Sequence, residues 1–378
     1  MDQHNDHDQN ENEQPLPPRR EDNLHHHGRA GKVWKVILLV LVLIVTAGAA
    51  YGVRLATQVK DSADKTYVPT KKKTPTVNLA DQKPFSILLL GADTGTEGRD
   101  GYRGNSDTMI LVTVDPQKKE TTLFSIPRDT AAQIIGAKTF TYQKINSAFN
   151  IGGPSMAMDT VEKLLNVPIN YYALIDMAGM KKMVDAVDGI DVDVPFSFVS
   201  TETGNQKFTK GKMHLNGDMA LAYARMRKED NEGDFGRQKR QQQVITAIAG
   251  KVISLNSLTR VQSILDAVSS SIQTNIKLGQ LMTMYQNYQG ALKNIKQDGL
   301  KGIGTTVNDN GQEVAYVVTK TSELQRVSDK ARTALGLDTE TLNNEETRQN
   351  SLQTTFDWNS QLDQFSYTFY PQESGGSN

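Results

Sequence analysis

The chain has 378 residues, of which 37% are hydrophobic, and it contains no cysteine. Its 42 lysine and arginine residues nearly balance 43 aspartate and glutamate residues, which gives a net charge of -1 at pH 7. This balance excludes a global positive field for nucleic acid, and the absence of cysteine excludes disulfides and thiolate metal sites. The length suffices for a large core or two domains, and the low hydrophobic share predicts disordered ends.

The N-terminal part of the chain predicts a membrane anchor. Residues 1–32 are polar and lack periodicity, so we predict a disordered cytoplasmic tail. Residues 33–53 are predicted to form a transmembrane helix, because about 18 consecutive residues from position 36 are uncharged, close to the length that crosses a bilayer. Trp34 and Tyr51 stand where interfacial aromatic residues belong. A cleaved signal peptide is the alternative, but the long polar leader favours an uncleaved anchor.

The orientation of this anchor does not follow from charge, because basic residues flank both of its ends. A lone N-terminal anchor usually keeps its short tail inside and passes the large domain outward. We therefore predict a single-pass protein of the cell membrane with an extracytoplasmic domain. Residues 54–84, with three prolines and a lysine run, are predicted to be its tether.

Folded sequence is predicted to begin at Phe85. Three apolar runs, at residues 84–91, 109–114 and 121–126, predict buried strands, and the turn-like DPQKKE sequence joins the last two as a hairpin. The polar motifs GADT, NSDT and SIPRDT lie at or beside the ends of these strands. That is where α/β folds place their chemistry.

The rest of the domain alternates between helical and strand patterns. Helices are predicted at residues 154–166, 177–187, 216–226, 244–255, 258–272, 278–295 and 322–335. Strands are predicted at 171–176 and 189–195, and Asn310-Gly311 marks a hairpin turn. The fold class is therefore α/β over residues 85–337, with a mixed central β-sheet flanked by helices. Residues 338–378 are predicted to be a low-complexity, mostly disordered tail, with Phe356, Trp358, Phe365 and Tyr367 as a local docking strip.

The stretch YARMRKEDNEGDFGRQKRQQQ, residues 223–243, contains four arginines that are predicted to share one short loop: Arg225, Arg227, Arg237 and Arg240. Planar guanidinium groups match phosphate oxygens, and a cluster of them suits a pyrophosphate. The alternative is a solvated basic helix start that is neutralised by its own acidic residues. The distant GADT, NSDT and SIPRDT motifs favour the anion site.

Several spaced motifs occur in one order along the chain: ILLLGAD, NSDTMILVTV, SIPRDT, KINSAFNIGG and the RMR…DFGRQKRQQQ run. With the anchor and tether, they resemble the LytR-CpsA-Psr (LCP) family over residues 85–335. The resemblance implies a transferase that moves wall teichoic acid or capsular polysaccharide from an undecaprenyl-pyrophosphate carrier to the 6-hydroxyl of N-acetylmuramic acid. Its partners would be the polyprenyl-pyrophosphate-linked glycopolymer, peptidoglycan and membrane lipid, and no nucleic acid.

Matched by motif, the resemblance also implies site residues. Asp93 and Asp107 correspond to the carboxylates that hold Mg²⁺, a cation that prefers oxygen ligands. The pyrophosphate-binding set comprises Arg128, Arg225, Arg227 and Arg237, with Gln241. Lys144 and Arg240 are further candidates for substrate contact. The family often has arginine where this chain has Asn105, and Arg103 or Arg99 is expected to cover the missing charge.

Two carboxylates keep alternative roles. Asp129 is either a partner of Arg128 that caps the loop or a catalytic residue. Asp234 is either the ion-pair partner that orients Arg237 or the base for the incoming hydroxyl.

Two other functions remain as alternatives. One is a polyprenyl-pyrophosphate hydrolase, in which water replaces the sugar hydroxyl. The other is a membrane-bound transcriptional regulator, which would need the arginine run in the cytoplasm, opposite to the predicted topology. No histidine stands in place for a hydrolase triad, and the chain has no GxxxxGK[ST] motif for ATP.

Overall fold

The structure of the chain is a computed structural model that describes residues 65–70, 77–92, 104–200, 204–254, 264, 266–309, 312–359 and 367–371. These residues all belong to the compact unit Leu55–Asn378. The predicted tail at 1–32 and the predicted transmembrane helix at 33–53 lie outside the described residues, as does much of the tether. Within the described ranges, no helix combines the length and the apolar composition needed to cross a membrane.

The strands are, in chain order, β1 (Phe85–Ala92), β2 (Ser106–Asp115), β3 (Glu120–Ser125), β4 (Ala131–Gln133), β5 (Tyr142–Lys144), β6 (Tyr171–Asp176), β7 (Ile190–Val194), β8 (Phe198–Ser200), β9 (Gln206–Phe208), β10 (Gly211–Leu215), β11 (Ile272–Thr274), β12 (Ile295–Gly299), β13 (Ile303–Asp309) and β14 (Gln312–Val318). The helices are α1 (Ser147–Leu165), α2 (Met177–Ala186), α3 (Gly217–Arg225), α4 (Asp234–Ile253), α5 (Leu278–Asn287), α6 (Thr321–Ala334) and α7 (Glu345–Ser351), with a 3₁₀ turn at Ala291–Lys293.

Six strands form a mixed central sheet in the order β11-β6-β1-β2-β3-β12. β2 is antiparallel to both β1 and β3, so the predicted hairpin between the second and third apolar runs is confirmed. β6 is parallel to β1, and β12 is parallel to β3. The carboxyl ends of β1, β3, β6 and β12 therefore meet at one edge of the sheet, beside the amino end of β2. We call this edge the carboxyl edge.

Helices cover both faces of the sheet. Successive side chains of a strand point to opposite faces, so Leu88 and Leu90 of β1 join a core that contains residues of α1 and α6. Ile87 and Leu89 pack on the other side, in a cluster that contains residues of α4 and α5. Burial of both faces explains why β1 reads as a continuous apolar run. The predicted class, a mixed central sheet flanked by helices, is confirmed.

A separate hydrophobic core supports the arginine-rich stretch. It joins α2, α3 and α4 to two small sheets, one formed by β7 and β10 and the other by β8 and β9. The rings of Phe198 and Phe208 stack in this core with centroids 4.5 Å apart. Tyr223 of α3 is fully buried in the same core. The strand predicted at 189–195 is confirmed as β7, but it pairs with β10 and does not join the central sheet.

The C-terminal part of the chain is folded where the structure describes it. α7 begins at Glu345, and Phe356, Trp358 and Tyr367 pack with β13 and β14. The prediction of disorder is wrong for these residues, because a few aromatic side chains supply apolar contact area that the polar composition conceals. The docking strip is confirmed at three of its positions, and Phe365 lies outside the described residues.

Two other predicted boundaries are wrong. α4 begins at Asp234 and not at residue 244, so the second half of the arginine-rich stretch is helical. The helix predicted at 278–295 ends at Asn287, and β12 begins at Ile295. Pairing with β3 overrides the weak local preference of the polar β12 sequence.

Candidate active site

Asp107 and Arg128 meet at the carboxyl edge. Asp107 is the second residue of β2, and Arg128 follows the end of β3 by three residues. Arg128 Nη1 donates a hydrogen bond to Asp107 Oδ1 at 2.5 Å, and the side chains are 25% and 33% exposed. Burial alone would lower the pKa of Arg128, but the hydrogen bond and charge of Asp107 outweigh it, so this pKa is raised. Arg128 is therefore a fixed cation that solvent can still reach.

The first turn of α4 brings a second arginine to the same place. Gly233 has a φ of 55°, a conformation that favours glycine, and it turns the chain into the helix at Asp234. Arg237 Nη2 lies 2.6 Å from Asp234 Oδ1 and 3.4 Å from the carbonyl oxygen of Asp107. Gln238 donates to the other oxygen of Asp234 at 2.9 Å. One turn of helix thus places a carboxylate, a guanidinium and a carboxamide beside Asp107.

Two donors of this site are buried and make no hydrogen bond within the described part of the chain: the Nε–H groups of Arg128 and Arg237. Arg128 Nε lies 3.6 Å from Asp129 Oδ2, within ion-pair range but beyond a hydrogen bond. A buried donor without a partner costs roughly 1–3 kcal/mol. An anion with several oxygens would satisfy both donors.

The charge balance around Arg237 also favours an anion. Burial lowers the pKa of Arg237; Asp234 opposes this shift, and the nearby charge of Arg128 adds to it. The charge of Arg227 acts in the same direction as that of Arg128. A bound anion would relieve this repulsion between guanidinium groups.

Asp129 and Lys144 form an adjacent ion pair. Lys144 Nζ lies 3.0 Å from Asp129 Oδ1 and 5.7 Å from the centroid of the Tyr316 ring. The Asp129 carbonyl oxygen accepts a hydrogen bond from the Val317 amide at 2.8 Å. Asp129 is thus a partner of both Arg128 and Lys144, as the first of its two predicted roles requires, and its catalytic role stays a prediction.

The other predicted members of the pyrophosphate set lie nearby or at the surface. Arg227 is exposed in the loop between α3 and α4, close enough to Arg237 to act on its pKa. Arg225 is the exposed last residue of α3 and forms no ion pair with another described residue. Gln241 is partly exposed on α4. Their roles toward substrate stay predictions.

Arg240 has a structural role, which contradicts its predicted contact with substrate. The residue is 1% exposed, and its Nε donates to the carbonyl oxygen of Tyr223 at 3.1 Å. Its Nη2 donates to the Met226 carbonyl, and its Nη1 pairs with Asp230. The Asp230 carboxylate lies against Gly236, where a Cβ atom would collide with it. Arg240 therefore fastens the loop between α3 and α4 to the helix.

Two glutamines of α4 that were not predicted from the sequence also contribute to the site. Gln238 orients Asp234, and Gln242 donates to Ser125 Oγ and to the Asp298 carbonyl oxygen, both at 2.8 Å. Gln242 thereby joins the helix to the ends of β3 and β12. Asp234, Gln238 and Gln242 are spaced four residues apart and share one helix face. This spacing is the sequence signal for a shared helix face, but it can be recognised only if the helix is known to begin at Asp234.

Three predicted site residues lie outside the described residues: Asp93, Arg99 and Arg103. Asn105 is described and exposed. Asp93 follows Ala92 in the chain, and Ala92 pairs with Ser106, the neighbour of Asp107. Among the residues that the structure describes, no group of three or more acidic or histidine side chains could hold a metal. Asp107, with a side chain that is 33% exposed, offers an accessible carboxylate for a hard cation there.

Comparisons with known proteins agree on one family. The LytR_cpsA_psr family model matches residues 51–333. An Enterococcus faecalis relative, TagU, a polyisoprenyl-teichoic acid–peptidoglycan teichoic acid transferase, is 42% identical over 305 residues, 80% of this chain and 97% of TagU. The crystal structure of a Streptococcus agalactiae protein shares 37% identity with a TM-score of 0.66, covering 72% of this chain and 94% of that one. A structure of TagT bound to LI-WTA shares 27% identity with a TM-score of 0.58, covering 71% and 96%.

Proposed function

We propose, because the chain belongs to the LytR_cpsA_psr family, that it is a transferase that moves a glycopolymer from a polyprenyl-pyrophosphate carrier to peptidoglycan. The glycopolymer is a wall teichoic acid or a capsular polysaccharide. The acceptor group is the 6-hydroxyl of N-acetylmuramic acid, and the product is a phosphodiester. The names of the TagU relative and of the TagT complex support a teichoic acid as the polymer.

The observation that carries this proposal is the pair of buried Nε–H donors on Arg128 and Arg237 that make no hydrogen bond within the described residues. They converge with Asp107 at the carboxyl edge, so a pyrophosphate bound there would receive hydrogen bonds from two fixed guanidinium groups. Fixed donors stabilise the negative charge that develops as the polyprenyl phosphate leaves. Both arginines are held by carboxylates before substrate arrives, so little reorganisation is needed.

Asp234 is suited to accept the proton of the acceptor hydroxyl group. One of its oxygens accepts from Gln238, while Oδ1 is buried and accepts no hydrogen bond within the described ranges, although Arg237 lies close to it. Gln238 fixes the orientation of the carboxylate. Asp129 is shared between Arg128 and Lys144, so its role in the proposal is to hold those cations.

We further propose that Asp93 and Asp107 hold Mg²⁺. The accessible carboxylate of Asp107 fits this cation, which prefers oxygen ligands and usually takes one or two protein carboxylates. When bound, Mg²⁺ would neutralise phosphate charge. Arg128 would then share Asp107 with the cation.

The remaining part of the proposal concerns location. Residues 33–53 anchor the protein in the cell membrane as a single span, and the catalytic domain lies outside the cytoplasm, where peptidoglycan is. The apolar composition of the span supports this assignment. The membrane would also hold the lipid tail of the carrier close to the domain.

The test is a transfer assay with the full-length protein in detergent, Mg²⁺, a synthetic polyprenyl-pyrophosphate-linked saccharide and peptidoglycan oligomers. We expect a phosphodiester-linked product by mass spectrometry and a loss of about 100-fold or more for Asp107→Asn with an unchanged unfolding midpoint. Cleavage of the donor with no product on peptidoglycan would favour the hydrolase alternative. Full activity of Asp107→Asn would remove this residue from the site.

A further inference from the structure

A groove of about 870 Å³ lies next to the candidate active site. It runs between the start of α4 and the carboxyl ends of β3 and β12. Its wall includes Phe235, Gln238, Lys239, Gln297, Gly299 and Lys301. We call it the α4–β12 groove. Gln238 also donates to Asp234, so one side chain links the groove to the proposed base.

The carboxylates in the wall of this groove are neutralised by the protein itself. Glu232 pairs with Lys239 at 2.6 Å. Asp298 pairs with Arg326 at 2.9 Å and with Lys330 at 2.6 Å, and although burial opposes it, these contacts hold the pKa of Asp298 well below its usual range. The groove therefore differs from the candidate active site, where the buried Nε–H donors of Arg128 and Arg237 make no hydrogen bond within the described residues.

Apart from these carboxylates and the two lysines Lys239 and Lys301, the wall offers neutral hydrogen-bonding groups. Asn231, Gln238 and Gln297 contribute carboxamides, which both donate and accept, and Gln297 is exposed. Phe235 adds an aromatic ring that is only partly buried. An amide-rich wall with one accessible ring suits a saccharide, which presents hydroxyl and amide groups at its rim and C–H groups on its faces.

The strand ends beside the groove are closely packed. A Cβ atom on Gly299 would lie 2.8 Å from the carbonyl oxygen of Ser125. Gln242 ties the same strand ends to α4 through Ser125 and the Asp298 carbonyl. The groove wall is thus fixed relative to Asp234. A site that positions one hydroxyl group of a saccharide requires such a fixed wall.

We propose that the α4–β12 groove binds the saccharide of the acceptor and directs its hydroxyl group to Asp234. This inference rests on the proposed function. In the transfer step, the acceptor oxygen forms a bond to phosphorus, and its proton passes to the Asp234 carboxylate. The bond from phosphorus to the bridging oxygen breaks, and its electron pair leaves with the polyprenyl phosphate. The arginine site holds the pyrophosphate during this step, and the groove holds the acceptor.

The variant that tests this inference is Gln297→Trp, which places a large side chain in the groove. Its matched control is Gln273→Trp, because Gln273 is also an exposed glutamine on an edge strand of the same sheet, β11, at the opposite side. With the full-length protein, we expect Gln297→Trp to raise the KM for soluble peptidoglycan glycan chains about tenfold, a difference of about 1.4 kcal/mol. The KM for the lipid-linked donor and the cleavage of donor by water should stay at the parental values. Gln273→Trp should match the parent throughout.

The other outcomes separate a failure of the proposed function from a failure of the groove inference. If the parent protein transfers nothing to any peptidoglycan acceptor, the proposed function fails. If the parent transfers and Gln297→Trp has the parental acceptor KM, the groove inference is overturned. A raised donor KM with an unchanged acceptor KM would assign the groove to the saccharide of the donor and overturn it too. Phe235→Leu, which keeps the apolar volume and removes the ring, should also raise the acceptor KM, and it decides the question if Gln297→Trp fails to fold.

Discussion

Two arginines of one helix, Arg237 and Arg240, differ in what their guanidinium groups contact. Both are buried on α4, and each has a carboxylate partner. Arg240 engages Nε, Nη1 and Nη2 within the protein, whereas Arg237 keeps a buried Nε–H without a hydrogen bond in the described part of the chain. Arginine content alone therefore does not identify an anion site, whereas a buried donor that makes no hydrogen bond within the described residues points to one.

The difference arises from what each side chain meets along the helix. Arg240 reaches under the loop between α3 and α4, where the Tyr223 and Met226 carbonyls accept its donors. Arg237 extends toward the amino end of β2, where the Asp107 carbonyl oxygen at 3.4 Å is its second protein contact. Protein acceptors engage the donors of Arg240, whereas one donor of Arg237 lacks an acceptor in the described part of the chain.

The largest expected effect is on catalysis by Arg237→Lys. Lysine keeps the charge but loses the Nε–H and the planar fork, so we expect transfer to fall about 100- to 1000-fold. The free energy of unfolding should change little, because the lost donor has no protein partner. Steady-state transfer rates and urea denaturation of the same preparation check both parts. An activity near that of the parent would mean that Arg237 supplies only a diffuse field.

Arg240→Met should give the opposite pattern. It leaves Asp230 buried and unpaired, so we expect the free energy of unfolding to fall by about 3–5 kcal/mol. Activity per folded molecule should fall less than for Arg237→Lys. Adding Asp230→Asn should recover part of the stability, since the two residues act as one pair. A strictly additive double variant would separate Arg240 from Asp230.

Glu346 shows that a buried polar atom without a hydrogen bond does not always indicate a ligand site. Glu346 Oε2 in α7 is buried without a hydrogen bond within the described residues, while Oε1 accepts a hydrogen bond from the backbone N–H of Gln133. Burial raises the pKa of Glu346 to about 7, and the adjacent Glu345 adds to the shift. Below about pH 7 the carboxyl group is therefore neutral, which avoids the cost of a buried charge without any ligand.

The pH dependence of stability follows from that raised pKa. A carboxyl group whose pKa is higher in the folded state stabilises the fold fully at low pH, and the contribution is lost as pH rises through about 7. We expect roughly 3 kcal/mol to be lost between pH 4.5 and 8 from this group. Denaturant unfolding at both pH values should show that Glu346→Gln lacks this part of the slope. Equal slopes in parent and variant would mean that Glu346 is charged in the fold.

The smallest expected effect distinguishes the two exposed arginines. Arg227 lies close enough to Arg237 to influence its pKa, whereas Arg225 has no such link. We expect Arg227→Lys to lower transfer about tenfold and Arg225→Lys to leave it within about threefold. Transfer rates at saturating acceptor compare them directly. Equal losses would place both side chains at the pyrophosphate.

Much of the fold was predictable because it depends on local patterns. The runs that became β1, β2 and β3 are apolar and end at recognisable turns, and their polar neighbours Asp107 and Arg128 do reach one edge. β12 was not predictable, because its polar sequence forms a strand only through pairing with β3.

The candidate site was predictable in its residue types but not in its division of roles. Arg237 and Arg240 are equivalent in sequence, and only the tertiary positions of Asp107, Tyr223 and Asp230 separate them. Because the sequence pattern placed the start of α4 at residue 244, it did not show that Asp234 and Gln238 share a helix face. The division of roles could not be predicted because it depends on contacts between residues that are distant in the chain.

The most direct test of the central claim is NMR of the arginine Nε–H resonances of the protein during titration with a short-chain polyprenyl pyrophosphate and Mg²⁺. We predict that the resonances of Arg128 and Arg237 shift with one shared dissociation constant, because their free donors gain phosphate acceptors. The Arg240 resonance should remain in place, because its donors already have protein partners. A shift of Arg240 with unchanged Arg128 and Arg237 would contradict the account.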